Sequence, residues 1–218
     1  MTHIKIIIKL AILLYIIFQC ICADATTRTW HRLSTDDGLL SDYVYSIDLD
    51  KDGMAWFATR YGITSYDGNS AKPYTPLSSH TNPKIYNDVL SLCATDNGKI
   101  YFVTHLRFGV YDICRNIFSP ISIKNATDFK WVSQLNSGEI LIVCSNRIIF
   151  YNPITSGHYD IPNKDNLDIK GNAIPFQDSV GQIWIGTYSN GVLRYSPQER
   201  RIYHYPSTIG LGSINSIY

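Results

Sequence analysis

Residues 52–68 read DGMAWFATRYGITSYDG, and this stretch decides the fold. It opens on Asp52-Gly53, a pair whose glycine tolerates the positive φ of a tight turn. Ala55-Trp56-Phe57-Ala58-Thr59 is a short aromatic run of the kind that fits a pleated, half-buried surface. A second turn at Arg60-Tyr61-Gly62 leads into Ile63-Thr64-Ser65-Tyr66, and a third follows at Asp67-Gly68. The stretch is a β-hairpin closed by turns at both ends.

The same sentence recurs three times. Residues 97–112 read NGKIYFVTHLRFGVYD, 137–152 read SGEILIVCSNRIIFYN and 180–196 read VGQIWIGTYSNGVLRYS. The leading glycines, Gly53, Gly98, Gly138 and Gly181, are spaced 40–45 residues apart. Each is followed 13 or 14 residues later by a tyrosine: Tyr66, Tyr111, Tyr151 and Tyr195. A period of this length with four short strands per unit is the signature of a propeller blade. The chain therefore reads as an all-β protein, a β-propeller of four blades at 38–76, 84–121, 127–162 and 170–206.

Outward from the hairpins, each blade needs an inner and an outer strand. The inner strands are expected at 44–49, 88–93, 129–135 and 173–177. The outer strands are expected at 71–75, 117–121, 157–161 and 201–205. In the first inner strand, alternation points Val44, Ser46 and Asp48 one way and Tyr45, Ile47 and Leu49 the other. Pro73 in the first outer strand suits an edge, where a missing N–H costs little. Residues 24–37 are expected to supply a closing strand for the last blade, because closure removes a vulnerable sheet edge. LGSINSIY at 211–218 resembles LSDYVYSI at 40–47 and reads as the first strand of a fifth blade. The expectation is an incomplete ring, the first part of a longer protein. Residues 24–218 expressed alone are then expected to self-associate or to be poorly soluble.

The first 23 residues stand apart. Lys5 and Lys9 precede an apolar run ending at Phe18, and Ala23-Asp24-Ala25 offers a small-x-small cleavage site. This is the pattern of a secretory signal peptide, with cleavage near Ala23 or Ala25, too short for a membrane span. A lipoprotein reading of Cys20 or Cys22 fails because Gln19 and Ile21 stand where a small residue is wanted. The chain is read as exported to the periplasm. With 19 basic and 18 acidic residues and no basic stripe, nucleic acid is not an expected partner. Beyond the signal peptide three cysteines remain, Cys93, Cys114 and Cys144; Cys93 and Cys144 lie in apolar runs and read as buried thiols.

Blade one, GLLSDYVYSIDLDKDGMAWFATRYGITSYDG, and blade four, DSVGQIWIGTYSNGVLRY, resemble the two-component regulator propeller repeat. The shared features are Gly-Leu, a Val-x-x-Ile strand, Asp-x-x-Gly, Trp-Ile/Phe-Gly/Ala-Thr and a closing Tyr. Blade two has Tyr101 in place of the tryptophan, and blade three has Leu141 and no mid-hairpin glycine. The resemblance implies seven-bladed propellers in the periplasmic sensor of a hybrid histidine kinase. It also implies an inner-membrane anchor, a dimeric parent, and an oligosaccharide as the sensed ligand. No kinase motif lies in this chain, and the remainder of the sensor would be its first partner.

Few constellations suggest chemistry. Asp48-Leu49-Asp50-Lys51-Asp52-Gly53 matches the first half of a calcium loop. Thr59 stands where the bidentate glutamate is needed, so the run reads as a polar turn. The six histidines show no ligand spacing, and no phosphate loop or nucleophile elbow appears. No catalytic residue, metal or cofactor is expected. The candidate ligand face is the set of loops inside the central hairpins, carrying Arg60, Tyr61, His105, Arg107, Asn146, Arg147, Tyr188 and Asn190. Two other readings compete: an exported propeller lyase or glycosidase with acids converging on the pore, and a protein-binding scaffold.

Overall fold

The computed structural model describes residues 30–74, 88–145, 147–161, 169, 173–188 and 190–206. The expected signal peptide, Asn146 and the expected fifth-blade strand at 211–218 lie outside the described residues. The chain divides into units at Met1–Arg32 and Leu33–Tyr218. Of the first unit only Trp30, His31 and Arg32 are described, without regular structure; the blades belong to the second.

Among the described residues sixteen strands form four separate four-stranded sheets, each antiparallel and in chain order. Blade one holds β1 (Val44–Leu49), β2 (Ala55–Thr59), β3 (Gly62–Tyr66) and β4 (Ala71–Tyr74). Blade two holds β5 (Ser91–Thr95), β6 (Lys99–Val103), β7 (Phe108–Asp112) and β8 (Ile117–Ile121). Blade three holds β9 (Phe129–Gln134), β10 (Ile140–Cys144), β11 (Arg147–Tyr151) and β12 (His158–Ile161). Blade four holds β13 (Ala173–Gln177), β14 (Ile183–Thr187), β15 (Val192–Ser196) and β16 (Arg201–Tyr205). The glycines that defined the repeat all adopt left-handed backbone, with φ of 81°, 74°, 82° and 83° at Gly53, Gly98, Gly138 and Gly181. A side chain at that φ is strained, so the turn requires glycine four times.

Strand alternation builds the core between blades. Trp56, Tyr101, Leu141 and Trp184 occupy one repeat position and pair with Asp48, Cys93, Ser133 and Phe176. The first three of these face the following blade, where they are at most 2% exposed. The next residues, Phe57, Phe102, Ile142 and Ile185, point the opposite way; the last three are sealed against the preceding blade. Three apolar cores result, one at each of the junctions one–two, two–three and three–four. Inner strands are also bolted by side chains. Ser91 Oγ donates to the Val132 carbonyl (3.1 Å) and accepts from the Val132 N–H (3.2 Å). Asp48 Oδ2 accepts the Ala94 N–H at 2.9 Å, and the Gln177 side chain accepts the Asn136 N–H at 2.8 Å.

One expectation is corrected and another is covered only in part by the described residues. Residues 24–29 of the segment expected to close the ring lie outside the described residues; over 30–37 there is no strand, and Thr35–Asp37 is a single 3-10 turn. The cause is local: the Asp37 carboxylate accepts both the N–H and the hydroxyl of Ser34 at 2.9 Å. Such side-chain bonds draw the backbone out of an extended ladder. In blade two the inner strand begins at Ser91 rather than at Asp88. Asp88 sits at φ 56°, and its N–H and that of Val89 are donated to Arg60 and Thr59 instead of to a strand ladder.

Candidate functional site

In blades one, two and four the hairpin loop between the second and third strands owes its shape to a threonine at the end of the second strand. Thr59 Oγ1 donates to the Gly62 carbonyl at 2.9 Å, and Thr187 Oγ1 donates to the Gly191 carbonyl at 2.9 Å. Thr104 Oγ1 accepts the Arg107 N–H at 3.1 Å. With the backbone polar groups satisfied inside the turn, the next side chains are left to solvent. Arg60, Tyr61, His105, Arg107 and Tyr188 are all exposed.

These loops and the segments entering the next inner strand share one face, as the repeat pattern requires. The Val89 N–H donates to Thr59 O, the Phe129 N–H to His105 O and the Ile169 N–H to Ser145 O. An acid accompanies the first two of these bonds. Asp88 Oδ1 lies 3.9 Å from Arg60 Nε, and Asp128 Oδ1 lies 3.7 Å from His105 Nδ1. Both acids adopt left-handed backbone, φ 56° and 55°, which aspartate tolerates better than most residues. Exposed pairs of this kind add little stability, so their consequence is positional: each sets a side chain of one blade beside the start of the next. The two acids were not among the sequence candidates. Their signal was present as Asp88-Val89 and Asp128-Phe129, an acid before an apolar residue, 40 residues apart.

Asp128 carries the densest cluster. Lys130 Nζ donates to Oδ1 at 2.8 Å, the Ser145 hydroxyl donates to Oδ2, and the Ser145 N–H donates to the Asp128 carbonyl at 3.1 Å. Burial pushes the carboxyl pKa up. The Lys130 and Ser145 bonds and the Lys130 and His105 charges outweigh it and hold the group below the ordinary carboxylate value. The order of the groups also matters. The carboxylate stands between the hydroxyl and the imidazole, whereas an activated serine needs its hydroxyl on the imidazole. This cluster anchors loops and does not activate Ser145.

The remaining candidates separate. Arg147 turns across blade three to Asp160 on β12, with Nη1 2.9 Å from Oδ2, and its side chain is 24% exposed. Asn190 is held by backbone: its N–H donates to Thr187 Oγ1 at 2.9 Å, and its carbonyl lies 2.7 Å from His204 Nε2. The face is therefore built from Arg60, Tyr61, His105 and Arg107, with Tyr188 on blade four.

The half calcium motif resolves as a turn. Asp50 Oδ1 accepts the N–H groups of Asp52 and Met54, and Oδ2 accepts the Trp56 indole N–H at 2.9 Å. Asp178 repeats this with Val180, Gln182 and Trp184, the indole at 2.8 Å. The indole bond, with help from the Gln182, Val180 and Gly181 N–H groups, outweighs the opposing effect of burial and holds the Asp178 pKa below its ordinary value. Blades two and three lack both partners together, having Thr95 with Tyr101 and Leu135 with Leu141. Asp48 faces the neighbouring inner strand, where burial pushes its pKa up against the pull of the Ala94 and Leu49 N–H groups. Among the described residues no group of three or more His, Cys, Asp or Glu is placed to hold a metal ion.

Comparison with known proteins concerns the fold. No family model and no curated protein matches the chain. Among solved structures it is similar to the extracellular domain of a protein described as a hybrid two component system from B. thetaiotaomicron. That match has a TM-score of 0.63 and 21% identity, covering 80% of this chain and 26% of that one. The chain is a run of β-propeller blades. It is also similar to virginiamycin B lyase from Staphylococcus aureus, with a TM-score of 0.59 and 15% identity, covering 75% of this chain and 55% of that one. An auxiliary nutrient binding protein from Bacteroides ovatus matches with a TM-score of 0.53 and 13% identity, covering 74% of this chain and 46% of that one. The chain thus spans about a quarter to about half of the length of these propellers.

Proposed function

We propose that this chain is the N-terminal part of an exported, ligand-sensing propeller of a two-component signalling protein, and that it captures an oligosaccharide on its hairpin-loop face without catalysis. The observation that carries the reading is the junction geometry. Successive blades present Arg60, Tyr61, His105 and Arg107 to solvent on one face, with Arg60 and His105 fixed by Asp88 and Asp128 of the following blade. Planar donors suit pairs of vicinal sugar hydroxyls, and a tyrosine ring offers a stacking surface. The repeat resemblance and the fold shared with an extracellular two-component domain support the signalling context. Binding across a junction couples ligand capture to the angle between blades, and in a membrane-anchored, dimeric parent that displacement is the signal.

The test is a thermal-shift screen of the mature chain against a panel of plant, fungal and host oligosaccharides. We expect at least one class to raise the melting temperature. Arg60→Ala with His105→Ala should abolish that rise while leaving the unliganded melting temperature within a few degrees. A panel with no responder, or a response untouched by the double substitution, overturns the reading. The fold shared with virginiamycin B lyase is the observation that favours a lyase instead. Chain-length analysis of the same sugars after incubation decides between the two, since a sensor leaves them intact.

A further inference from the structure

Within the sensing reading, on which this rests, we infer that the oligosaccharide is anionic. Its charged group is held on Arg107 and Lys124, where the loops of blades two and three meet. The cations at this end of the blades fall into two groups. Arg60 has Asp88, Lys130 and His105 share Asp128, and Arg147 has Asp160. Arg107 and Lys124 are exposed and make no ion pair with any described residue. A lone exposed cation is ordinarily a solvated side chain. These two differ in standing on fixed backbone in neighbouring loops. The Thr104 N–H donates to the Arg107 carbonyl at 2.8 Å, and Thr104 Oγ1 accepts the Arg107 N–H at 3.1 Å. The Ala126 N–H donates to the Ile123 carbonyl at 3.2 Å and closes a turn with Lys124 and Asn125 at its tip. Asn125 takes φ 60° there, a conformation asparagine tolerates. The Phe129 N–H, donated to the His105 carbonyl at 3.2 Å, ties the two loops together.

The charge left over at this junction is positive. Lys130, whose side chain is 15% exposed, already matches the Asp128 carboxylate at 2.8 Å, so that acid does not neutralise Arg107 or Lys124. The opposite end of the blades has the reverse sign. Its turns, at 50–54, 67–70, 96–98, 113–116, 136–139, 152–157, 178–182 and 197–200, hold seven carboxylates against Lys51, Arg115 and Arg200. An anion is turned away from that end and drawn to the loop end. There the guanidinium of Arg107 offers two parallel N–H groups to a carboxylate or sulfate, and Lys124 adds a point charge. Leu106, 84% exposed between His105 and Arg107, gives the C–H face of a sugar ring an apolar contact.

Calorimetric titration of the chain tests this. The probes are a galacturonate oligosaccharide and a sulfated galactan oligosaccharide, each beside its uncharged counterpart, carboxyl-reduced or desulfated. At least one acidic probe should bind at least about tenfold more tightly than its counterpart, about 1.4 kcal/mol, and the arm that responds tells carboxylate from sulfate. Raising salt from about 50 mM to about 500 mM should remove most of that advantage. Arg107→Ala with Lys124→Ala should erase the preference, and Arg107→Lys should restore part of it. Arg115→Ala removes one cation from the opposite end and should leave the preference intact; circular dichroism checks that each variant is folded. Equal binding of acidic and neutral forms overturns the inference and leaves the sensing reading standing. So does a neutral responder in the thermal-shift panel when no acidic probe binds. No binding by any probe or panel sugar overturns both. A preference that survives the double substitution, or that Arg115→Ala lowers as much, reduces the effect to general charge attraction and also overturns the inference.

Discussion

Trp56 and Trp184 are the same residue of the same motif in different surroundings. Both donate their indole N–H to an aspartate six residues earlier, at 2.9 and 2.8 Å. Trp56 lies under blade two among Tyr74 and Tyr111, with ring centroids 5.3 and 6.2 Å away. Trp184 is partly exposed, with Arg194 over its ring and Tyr205 beside it at 6.1 Å. The aspartate–indole bond is therefore made within a blade and needs no neighbour, while burial of the ring is supplied by the next blade. Repeat proteins divide their stability in this way, between units and interfaces.

The difference is broken most strongly by Trp56→Ala, which empties a sealed site between two blades and should cost roughly 3–5 kcal/mol. Trp184→Ala should cost well under half of that, because its ring already meets solvent. Urea denaturation of both variants checks the contrast, and equal losses would mean that the motif, not the junction, sets stability. Asp50→Ala comes next. It strips the buried indole of its acceptor and should cost roughly 1–3 kcal/mol. Asp178→Ala, at the exposed copy, should cost measurably less.

Acid sharpens the comparison at the junctions. The folded-state pKa of Asp128 is depressed, so its contribution is present above the ordinary aspartate value of about 3.9 and is lost as pH falls through the depressed value. Asp48, with its pKa raised by burial, works the other way and weakens the fold as pH rises through it. Asp128→Asn should therefore flatten the fall in melting temperature as the pH drops below about 4, the unfolded aspartate value. An unchanged acid limb would remove Asp128 from the junction's account. The smallest effect is chemical. Cys93 and Cys144 are buried free thiols, their pKa values pushed up by burial, that of Cys144 to about 12, while Cys114 is exposed. Iodoacetamide on the native chain should label the peptide of Cys114 and spare those of Cys93 and Cys144.

The repeat made the fold readable, because turn glycines, Thr caps and strand alternation act over a few residues. The outer strands at Ile117–Ile121 and Arg201–Tyr205 fall where the pattern placed them. What was missed depends on partners distant in sequence. Asp88 and Asp128 gain their meaning from Arg60 and His105 one blade back, and Arg147 is drawn from the loop face by Asp160 on β12. The 3-10 turn at Thr35–Asp37 was missed for the opposite reason, a local Ser34–Asp37 bond overriding an expectation drawn from ring closure.

Hydrogen-exchange mass spectrometry of the chain, with and without the strongest oligosaccharide responder from the panel, tests the proposed ligand face most directly. Added protection is expected in peptides covering Thr59–Gly62 and Thr104–Phe108, the hairpin loops that hold Arg60, Tyr61, His105 and Arg107. Protection confined to the turns at the opposite end of the blades, Asp50–Met54 and Asp178–Gln182, or no protection at all, would contradict the assignment of this face as the sensing surface.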